Sequence, residues 1–292
     1  MNIREAAYYV SLSEEKSFSN VAKKYRVSQP TVSAAIKRLE DEFGSQLLVR
    51  GNPHRTIALT HTGEQLLGHA QEILYHYQLA KTEIKNSEKR RLVVGMPPII
   101  ETNYFPKIAQ RLSPEDLTSI QTVEEGSISA LNDLKNGTLD ISFLGYIGQI
   151  TNQMIDVHQI DQQPFSILVA TNSRLAKQQR VNFADLKNQN FILFKDSFVH
   201  DRVFRQLSNT NHVRPKVIFR TNAAQSIVNM VAQGIGIGFL TNAIKIKDPN
   251  VVRLRLDDPL QPVFKIGLAL RRGMVFSEAQ EKIVAILKSV AK

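Results

Sequence analysis

The sequence predicts an α/β protein in three parts: a small helical N-terminal domain, one long helix, and a larger C-terminal α/β domain of two lobes. Residues 1–60 contain short helical patterns separated by polar breaks, and residues 61–90 contain one helical pattern without proline. From Leu92 onward, apolar runs alternate with helical stretches. That texture is typical of an α/β domain with largely parallel, buried strands.

Composition excludes several classes of protein. A chain of 292 residues is long enough for two or three domains, and 42% hydrophobic with 22% charged residues is ordinary for a folded globular protein. The absence of cysteine excludes disulfides, cysteine-based metal sites and a thiol nucleophile. The N-terminus has no apolar signal-peptide core, and no apolar run is long enough to span a membrane. We therefore expect a cytoplasmic protein without a membrane partner.

The chain is basic, with a formal net charge of +10. A basic protein is attracted to nucleic-acid phosphates, but the positive charge is spread along the whole chain. An unspecialised basic surface explains the charge equally well, so local motifs must decide.

The N-terminal domain has the pattern of two helices joined by a tight turn. Ser17 is a good N-cap for a helix that ends at Tyr25, and Ser28 can cap a second helix, Gln29–Glu42, with Pro30 in its first turn. The second helix has an apolar stripe and a polar, basic outer face, which together predict a helix-turn-helix. The alternative is a small helical bundle with a solvated face. The predicted stripe consists of Val32, Ile36, Leu39 and Phe43.

This motif suits DNA. The start of the second helix can sit on a phosphate, its polar side chains can reach base edges, and its basic residues can contact further phosphates. The segments 46–50 and 56–59 flank a turn and predict a β-hairpin wing with Arg55 near its tip. The predicted DNA-binding residues are Ser28, Gln29, Pro30, Thr31, Ser33, Lys37, Arg38, Arg50 and Arg55.

The long helix follows Thr60, a good N-cap, and is expected to end near Ser87. Apolar side chains recur along it at alternating spacings of four and three residues, which predicts a dimerisation seam. The seam is shorter than a coiled coil usually needs, so packing against the chain's own body is the alternative. The predicted seam consists of Leu66, Ala70, Ile73, Tyr77, Ala80 and Ile84.

The C-terminal domain repeats one local pattern. A helix ending near Gly137 is followed by an apolar run to Leu144, and a helix ending near Gly234 is followed by a run to Leu240. This predicts two lobes of related construction, although two unrelated helix–strand connections would give the same pattern. The predicted strands are Leu92–Met96, Ser119–Val123, Asp140–Leu144, Phe165–Ala170, Phe191–Phe194, Val217–Phe219, Gly236–Leu240 and Phe264–Leu270.

Residues 18–63 resemble the winged helix-turn-helix of LysR-type transcriptional regulators. The residues that carry the resemblance are the runs Phe18-Ser-Asn-Val-Ala22, Val27-Ser-Gln-Pro-Thr-Val-Ser33, Ile36, Leu39-Glu40, Phe43-Gly44, Leu47-Leu-Val-Arg50, Leu59-Thr60 and Gly63. The linker helix and two-lobed domain fit the same architecture. The resemblance implies a cytoplasmic bacterial regulator, usually a tetramer built as a dimer of dimers. Such a regulator binds double-stranded DNA, and a small effector in a periplasmic-binding-protein-like C-terminal domain changes its promoter contacts.

The resemblance also implies the domain limits: 1–60 for DNA binding, 61–91 for the linker, and 92–292 for effector binding. Lobe I then covers about 92–163 plus 265–292, and lobe II about 164–264. Two departures bear on function. Ala34 follows Ser33 at a position where the family often has a basic or long polar residue, so we expect fewer direct contacts with bases. Leu48 replaces a usual phenylalanine.

The effector site is expected at the loops that follow the carboxyl ends of the strands and at the helix starts beyond them. Residues 97–100 lack the Ser or Thr that the family often has there, which argues against a strongly polar pocket. Arg202 and His200 would suit an organic anion, unless they lie on the surface of a helix start. The predicted effector residues are Pro98, Ile99, Ile100, Ser127, Ile128, Tyr146, Val199, His200, Arg202 and Asn222.

Enzyme signals are weak. The run Gly234-Ile-Gly-Ile-Gly238 follows a helix and enters a strand, the reverse of a dinucleotide fingerprint. The histidines are scattered, and the pair Glu124-Glu125 is interpreted as solvated acids. We therefore predict no catalytic residues, no metal site and no cofactor. The rival interpretations are a solute-binding module for transport and a small-molecule enzyme of the α/β class.

Overall fold

The computed structural model describes residues 1–49, 57–87, 91–196, 198–259 and 261–289, and the chain divides into two compact units, Met1–Lys89 and Arg90–Lys292. The first unit contains both the predicted N-terminal domain and the linker helix. Its helices are α1 (Ile3–Glu15), α2 (Phe18–Tyr25), α3 (Gln29–Phe43) and α4 (His61–Ser87).

The helix starts follow from short polar side chains. Asn2 caps α1 and forms a capping box with Glu5, while Ser17 and Ser28 accept hydrogen bonds from the backbone of α2 and α3 as predicted. Gly44 adopts a φ of +61° and ends α3. The predicted helix-turn-helix is thereby confirmed.

The first unit has its own core, built from α1, α2, α3 and the start of α4. On α3 the buried side chains are Val32, Ala35, Ile36 and Leu39. The prediction that Phe43 belongs to this face is wrong, because 47% of its surface is exposed. Phe43 occupies the last turn of the helix and borders a groove lined by Leu47 and Leu66 instead.

The base of the predicted wing is present. Leu48 and Leu59 form an antiparallel bridge, and the Val49 N–H donates to the Ala58 carbonyl at 2.9 Å. The tip of the wing, with the predicted DNA contacts Arg50 and Arg55, lies outside the described residues.

The long helix α4 begins as predicted, because the Thr60 hydroxyl accepts the Gly63 N–H at 3.0 Å. The structure divides the predicted seam into two parts. Leu66 and Ala70 are buried in the core of their own unit, as the alternative interpretation required. The remaining seam residues are exposed: Ile73, Tyr77, Ala80 and Ile84.

The second unit contains all the strands of the two sheets. Its strands are β1 (Leu92–Gly95), β2 (Ile120–Val123), β3 (Ile141–Tyr146), β4 (Ile155–Gln163), β5 (Phe165–Ala170), β6 (Arg180–Val181), β7 (Asn190–Phe194), β8 (Lys216–Thr221), β9 (Ile237–Thr241), β10 (Val251–Leu256) and β11 (Phe264–Arg271). Its helices are α5 (Pro98–Asn103), α6 (Phe105–Ala109), α7 (Pro114–Thr118), α8 (Ser127–Lys135), α9 (Val199–Thr210), α10 (Ala224–Ala232) and α11 (Glu278–Lys288), with short 3₁₀ turns at Arg174–Lys177 and Phe183–Leu186.

The strands form two sheets, in the orders β2-β1-β3-β11-β4 and β6-β10-β5-β9-β7-β8. The first sheet takes its strands from residues 92–163 and from β11, and the second from residues 165–256. Both sheets are mixed, so the prediction of largely parallel strands is wrong. Strand β11 runs antiparallel to β3 and β4, and β5 runs antiparallel to β9 and β10.

The repeated helix–glycine–strand pattern is confirmed. Gly137 and Gly234 have φ values of +73° and +70°, and they follow α8 and α10 immediately before the chain enters β3 and β9. A left-handed residue at this position favours glycine because a Cβ atom would be strained there. Each lobe therefore contains one copy of the pattern.

Two glycines of α4 provide a matched test of this packing. A Cβ atom on Gly63 would lie 2.2 Å from the Leu47 carbonyl oxygen and 2.9 Å from the Tyr9 hydroxyl, whereas one on Gly68 would meet nothing within 4 Å. Gly63→Ala should therefore destabilise the first unit by about 1–3 kcal/mol, the usual cost of overpacking. Gly68→Ala should stabilise it by up to about 1 kcal/mol through helix propensity. Urea unfolding of the full chain measures both, and equal effects of the two variants would contradict the packing described.

Candidate functional site

The start of α3 forms the first candidate site. The Ser28 hydroxyl accepts the Thr31 N–H at 3.3 Å and lies 2.8 Å from the Thr31 hydroxyl, while the Ser19 hydroxyl donates to Gln29 Oε1 at 3.2 Å. These contacts hold the polar side chains in place at the start of the helix. The seven DNA-binding residues predicted on this helix and its cap are all exposed on the surface of the first unit: Ser28, Gln29, Pro30, Thr31, Ser33, Lys37 and Arg38.

Arg38 differs from the others because it already has a partner. Its Nε donates to Glu5 Oε1 at 2.7 Å, and Glu5 is 7% exposed. Burial opposes ionisation of Glu5, but hydrogen bonds from Arg38 and from the Asn2 N–H outweigh it and hold the pKa of this carboxyl below its usual range. Arg38 therefore balances a buried charge, whereas Lys37 is exposed one residue earlier.

The second candidate site is a cleft of about 600 Å³ in the second unit. Its walls come from both sheets' loops: the start of α5, the segment between β2 and α8, the start of α9, and Asn222. Most of the surface is apolar, and none of the described lining residues is a lysine or an arginine. The apolar lining consists of Pro97, Pro98, Ile99, Ile100, Ile128, Phe198, Val199 and Phe264.

Helices α8 and α9 direct their N-termini to the cleft, and neither start is capped by a side chain. Gly126 precedes α8, Phe198 precedes α9, and both residues line the cleft. The first N–H groups of a helix have no partner within the helix, and they carry the positive end of its dipole. The helix starts therefore supply hydrogen-bond donors for an acceptor in the cleft.

His200 forms part of the cleft wall and is 2% exposed. Its Nε2 accepts the Thr241 N–H at 3.3 Å, and its ring contacts Phe194 and Phe264 at centroid distances of 4.7 and 5.5 Å. Burial lowers the pKa of His200 to about 3. The prediction of a positively charged His200 is therefore wrong. A neutral ring whose Nε2 accepts carries its hydrogen on Nδ1, so His200 is a neutral donor.

Arg202 and Tyr146 do not line the cleft, contrary to prediction. On α9 the buried face holds His200 and Val203, and Arg202 faces away from it and is exposed. On β3 the cleft is lined by Gly145, and Tyr146, the next residue, lines a separate groove with Gly148 and Lys265. Alternation of side chains along a strand accounts for this difference.

Gly145 lines the cleft and contacts two other lining residues, Ser127 and Phe264. Its N–H donates to Ser127 Oγ at 2.9 Å, which leaves the hydroxyl hydrogen of Ser127 available to a ligand. A Cβ atom on Gly145 would lie 2.4 Å from Cζ of Phe264. Only glycine therefore allows the Phe264 ring to close the floor at this point.

Glu125 is the functional candidate that sequence analysis missed. It is half-buried in the cleft wall, and its Oε1 is enclosed without a hydrogen-bond partner. Burial and a hydrogen bond with the Asp133 carboxyl group raise the pKa of Glu125 to about 7. No short motif links these two acids, because Glu125 precedes α8 and Asp133 lies in its second half.

Within the described ranges, no group of His, Asp or Glu side chains has the arrangement of a metal site. Among the helices described, none has both the length and the apolar character needed to cross a membrane.

Comparison with known proteins assigns both parts of the chain. Residues 3–64 match the family model for bacterial regulatory helix-turn-helix proteins of the lysR family, and residues 85–292 match the LysR substrate binding domain. The chain belongs to the LysR family. It is therefore a DNA-binding transcriptional regulator with an effector-binding domain, in a family that is not enzymatic.

The relatives match most or all of the chain. The malolactic fermentation system transcriptional activator of Lactococcus lactis is 30% identical over 99% of both proteins, and the Hca operon activator HcaR of Escherichia coli is 26% identical over 83% of each. Among solved LysR-family structures, CbnR covers 100% of both chains at 20% identity with a TM-score of 0.52. The effector binding domain of QuiR in complex with shikimate covers 69% of this chain and 96% of its own at 21% identity, with a TM-score of 0.58.

Proposed function

We propose that this LysR regulator acts in the cytoplasm as a homo-oligomer, binds double-stranded DNA through α3 and the wing, and responds to a small organic acid in the cleft. The observation that carries the effector class is the convergence of neutral hydrogen-bond donors on a mostly apolar cavity. These donors are the starts of α8 and α9, the Ser127 hydroxyl and His200. Such a site suits a carboxylate attached to a small carbon skeleton.

The DNA-binding proposal is supported by the exposure and order of the polar face of α3. Gln29 and Ser33 lie one helical turn apart, and a helix of this kind presents such side chains to base edges in the major groove. Lys37 adds a phosphate contact one turn further along. Arg38 contributes less, because Glu5 already neutralises it.

The oligomer proposal is supported by the exposed part of the α4 seam. Ile73, Tyr77 and Ile84 have exposed fractions of 41%, 44% and 66%, and with Ala80 they share one face of the helix. Two such faces packed against each other would remove apolar surface from water. The dimer seam is therefore shorter than the sequence pattern alone predicted.

The choice of effector probes follows from the relatives. The malolactic fermentation activator shares the full length of this chain, and malolactic fermentation takes its name from malate and lactate, two hydroxy acids. A hydroxy acid offers a carboxylate to the helix starts and a hydroxyl to the polar residues between them. L-malate, L-lactate and shikimate are accordingly the probes used below.

DNA binding is tested on a fragment that the wild-type chain selects from a random library. The double variant Gln29→Ala and Ser33→Ala should lose preference for that fragment over random DNA by about 1–3 kcal/mol for each base contact removed. Lys37→Ala should weaken binding to all sequences alike and reduce the salt slope by about one. Asp41→Ala, at the far end of the same helix, is the control. An unchanged sequence preference in the double variant would contradict the assignment of α3.

The oligomer interface is tested by charge. Ile73→Glu combined with Ile84→Glu should give a smaller species in sedimentation velocity and abolish binding to DNA with two half-sites, because each half-site alone contributes too little. Gln71→Glu combined with Gln78→Glu adds the same charge to other exposed positions of α4 and should leave assembly intact. If the first variant sediments like the wild type, the exposed seam is not the interface.

The effector site is tested by calorimetry with the three acids. We expect at least one to bind, and Ser127→Ala to weaken it about tenfold, since a hydrogen bond to a charged group contributes about 1.5 kcal/mol or more. Arg202→Ala should bind the same acid as tightly as the wild type, because Arg202 lies outside the cleft. Absence of binding by all three acids would refute the proposed effector class, and weakened binding by Arg202→Ala would refute the location.

A further inference from the structure

The cleft has an acidic side that an organic acid must meet. Glu124 and Glu125 follow the carboxyl end of β2 and line the cavity, and the described lining contains no cationic side chain to balance them. Two ionised carboxylates would repel an effector carboxylate in a cavity of this size. The charge state of this wall therefore decides whether such an effector can enter.

The enclosed carboxyl group of Glu125 indicates that the wall holds a proton. Its Oε1 is buried without a hydrogen-bond partner, which penalises the ionised form of Glu125. Burial and the Asp133 carboxyl group act in the same direction and raise the pKa of Glu125 to about 7. The Ser129 hydroxyl acts in the opposite direction by donating to Glu125, but burial and Asp133 together outweigh it.

The other titratable groups around Glu125 do not reverse this balance. Glu124 is its exposed neighbour in the chain and adds negative charge, which also favours a protonated Glu125. His200, on the opposite wall, is neutral because burial lowers its pKa to about 3. His200 is also a nearly fully buried polar side chain of the same cavity, and its Nε2 accepts the Thr241 N–H.

We propose that Glu125 is protonated in the form of the cleft that admits a carboxylate effector. The role in effector entry rests on the organic-acid effector proposed above. Effector binding then takes up a proton whenever Glu125 is ionised in the free protein. Affinity for the acid accordingly rises as the pH falls through neutrality, and Glu125 becomes a determinant of which ligands bind.

The first experiment measures the dissociation constant of L-malate against pH. Between pH 6 and pH 8 the wild-type affinity should fall by about tenfold, the scale set by one coupled proton. Malate itself is almost fully ionised over this range, so most of the proton uptake belongs to the protein. Glu125→Gln, which mimics the protonated side chain, should bind malate tightly and without dependence on pH. Glu124→Gln removes a charge that favours protonation of Glu125, so it should move the pH dependence to lower pH without abolishing it.

The second experiment needs no ligand. The pKa of Glu125 is about 7 in the folded chain and 4.5 in the unfolded chain, so its stabilising contribution is complete below pH 4.5 and is lost as the pH rises through 7. The free energy of unfolding of the wild type should therefore decline relative to that of Glu125→Gln between pH 4.5 and pH 8. The carbonyl stretch of a protonated carboxylic acid, seen by infrared spectroscopy, should titrate over the same range and be missing in Glu125→Gln.

The two experiments test the effector and the proton independently, so one can contradict its part of the proposal without the other. If no malate binds at any pH, the choice of effector is contradicted, while the protonation of Glu125 is still decided by unfolding and infrared titration. If the unfolding curves of the wild type and Glu125→Gln run parallel with pH, Glu125 does not hold the proton and the inference is overturned. If malate binds with the same pH dependence in Glu125→Gln as in the wild type, Glu125 does not control entry of the acid.

Discussion

The floor of the cleft is the constraint on which the effector-binding unit depends. The chain passes between the two sheets twice, and Phe165 and Phe264 are the first strand residues after each passage. Their rings contact each other at a centroid distance of 6.0 Å, and both contact His200. His200 is held in turn by the Thr241 N–H, and Gly145 leaves the space that Phe264 occupies. The residues that close the cavity are thus the residues at the connections between the lobes.

This arrangement explains why the site uses neutral donors. A positive charge is unfavourable on an imidazole enclosed by three phenylalanine rings, because burial favours the neutral form. The same packing places the start of α9 at the cavity without a capping side chain, so its N–H groups remain for a ligand. A ligand that contacts Phe264 would contact the second passage directly, and the first only through His200, whose ring packs on Phe165.

Much of the fold could be predicted from the sequence, because its signals are local. The serine caps at Ser17 and Ser28 and the glycines after α8 and α10 require only the neighbouring residues to be recognised. The strands β4, β6 and β10 were not predicted. Strand β4, for example, alternates polar and apolar residues because one of its faces is exposed, so it lacks the continuous apolar run of a doubly covered strand.

The effector site was predicted less well than the fold, for a physical reason. Several of the predicted loops line the candidate cleft, but the state of each side chain depends on contacts that the sequence does not reveal. His200 lies beside Phe264, Arg202 points away from the cavity, and Glu125 is affected by Asp133 of α8. The exposed seam of α4 shows the same effect, because burial of Leu66 and Ala70 depends on where α1 packs.

The most direct test of this account is the protonation state of His200 in the full-length chain, measured by nitrogen NMR of labelled histidine rings and assigned with a His200→Gln variant. A cleft built on neutral donors requires one neutral tautomer, protonated at Nδ1, from pH 5 to pH 8, with a change in the Nδ1 resonance when L-malate is added. A doubly protonated ring in this range, or a neutral ring protonated at Nε2, would contradict a cleft built on neutral donors.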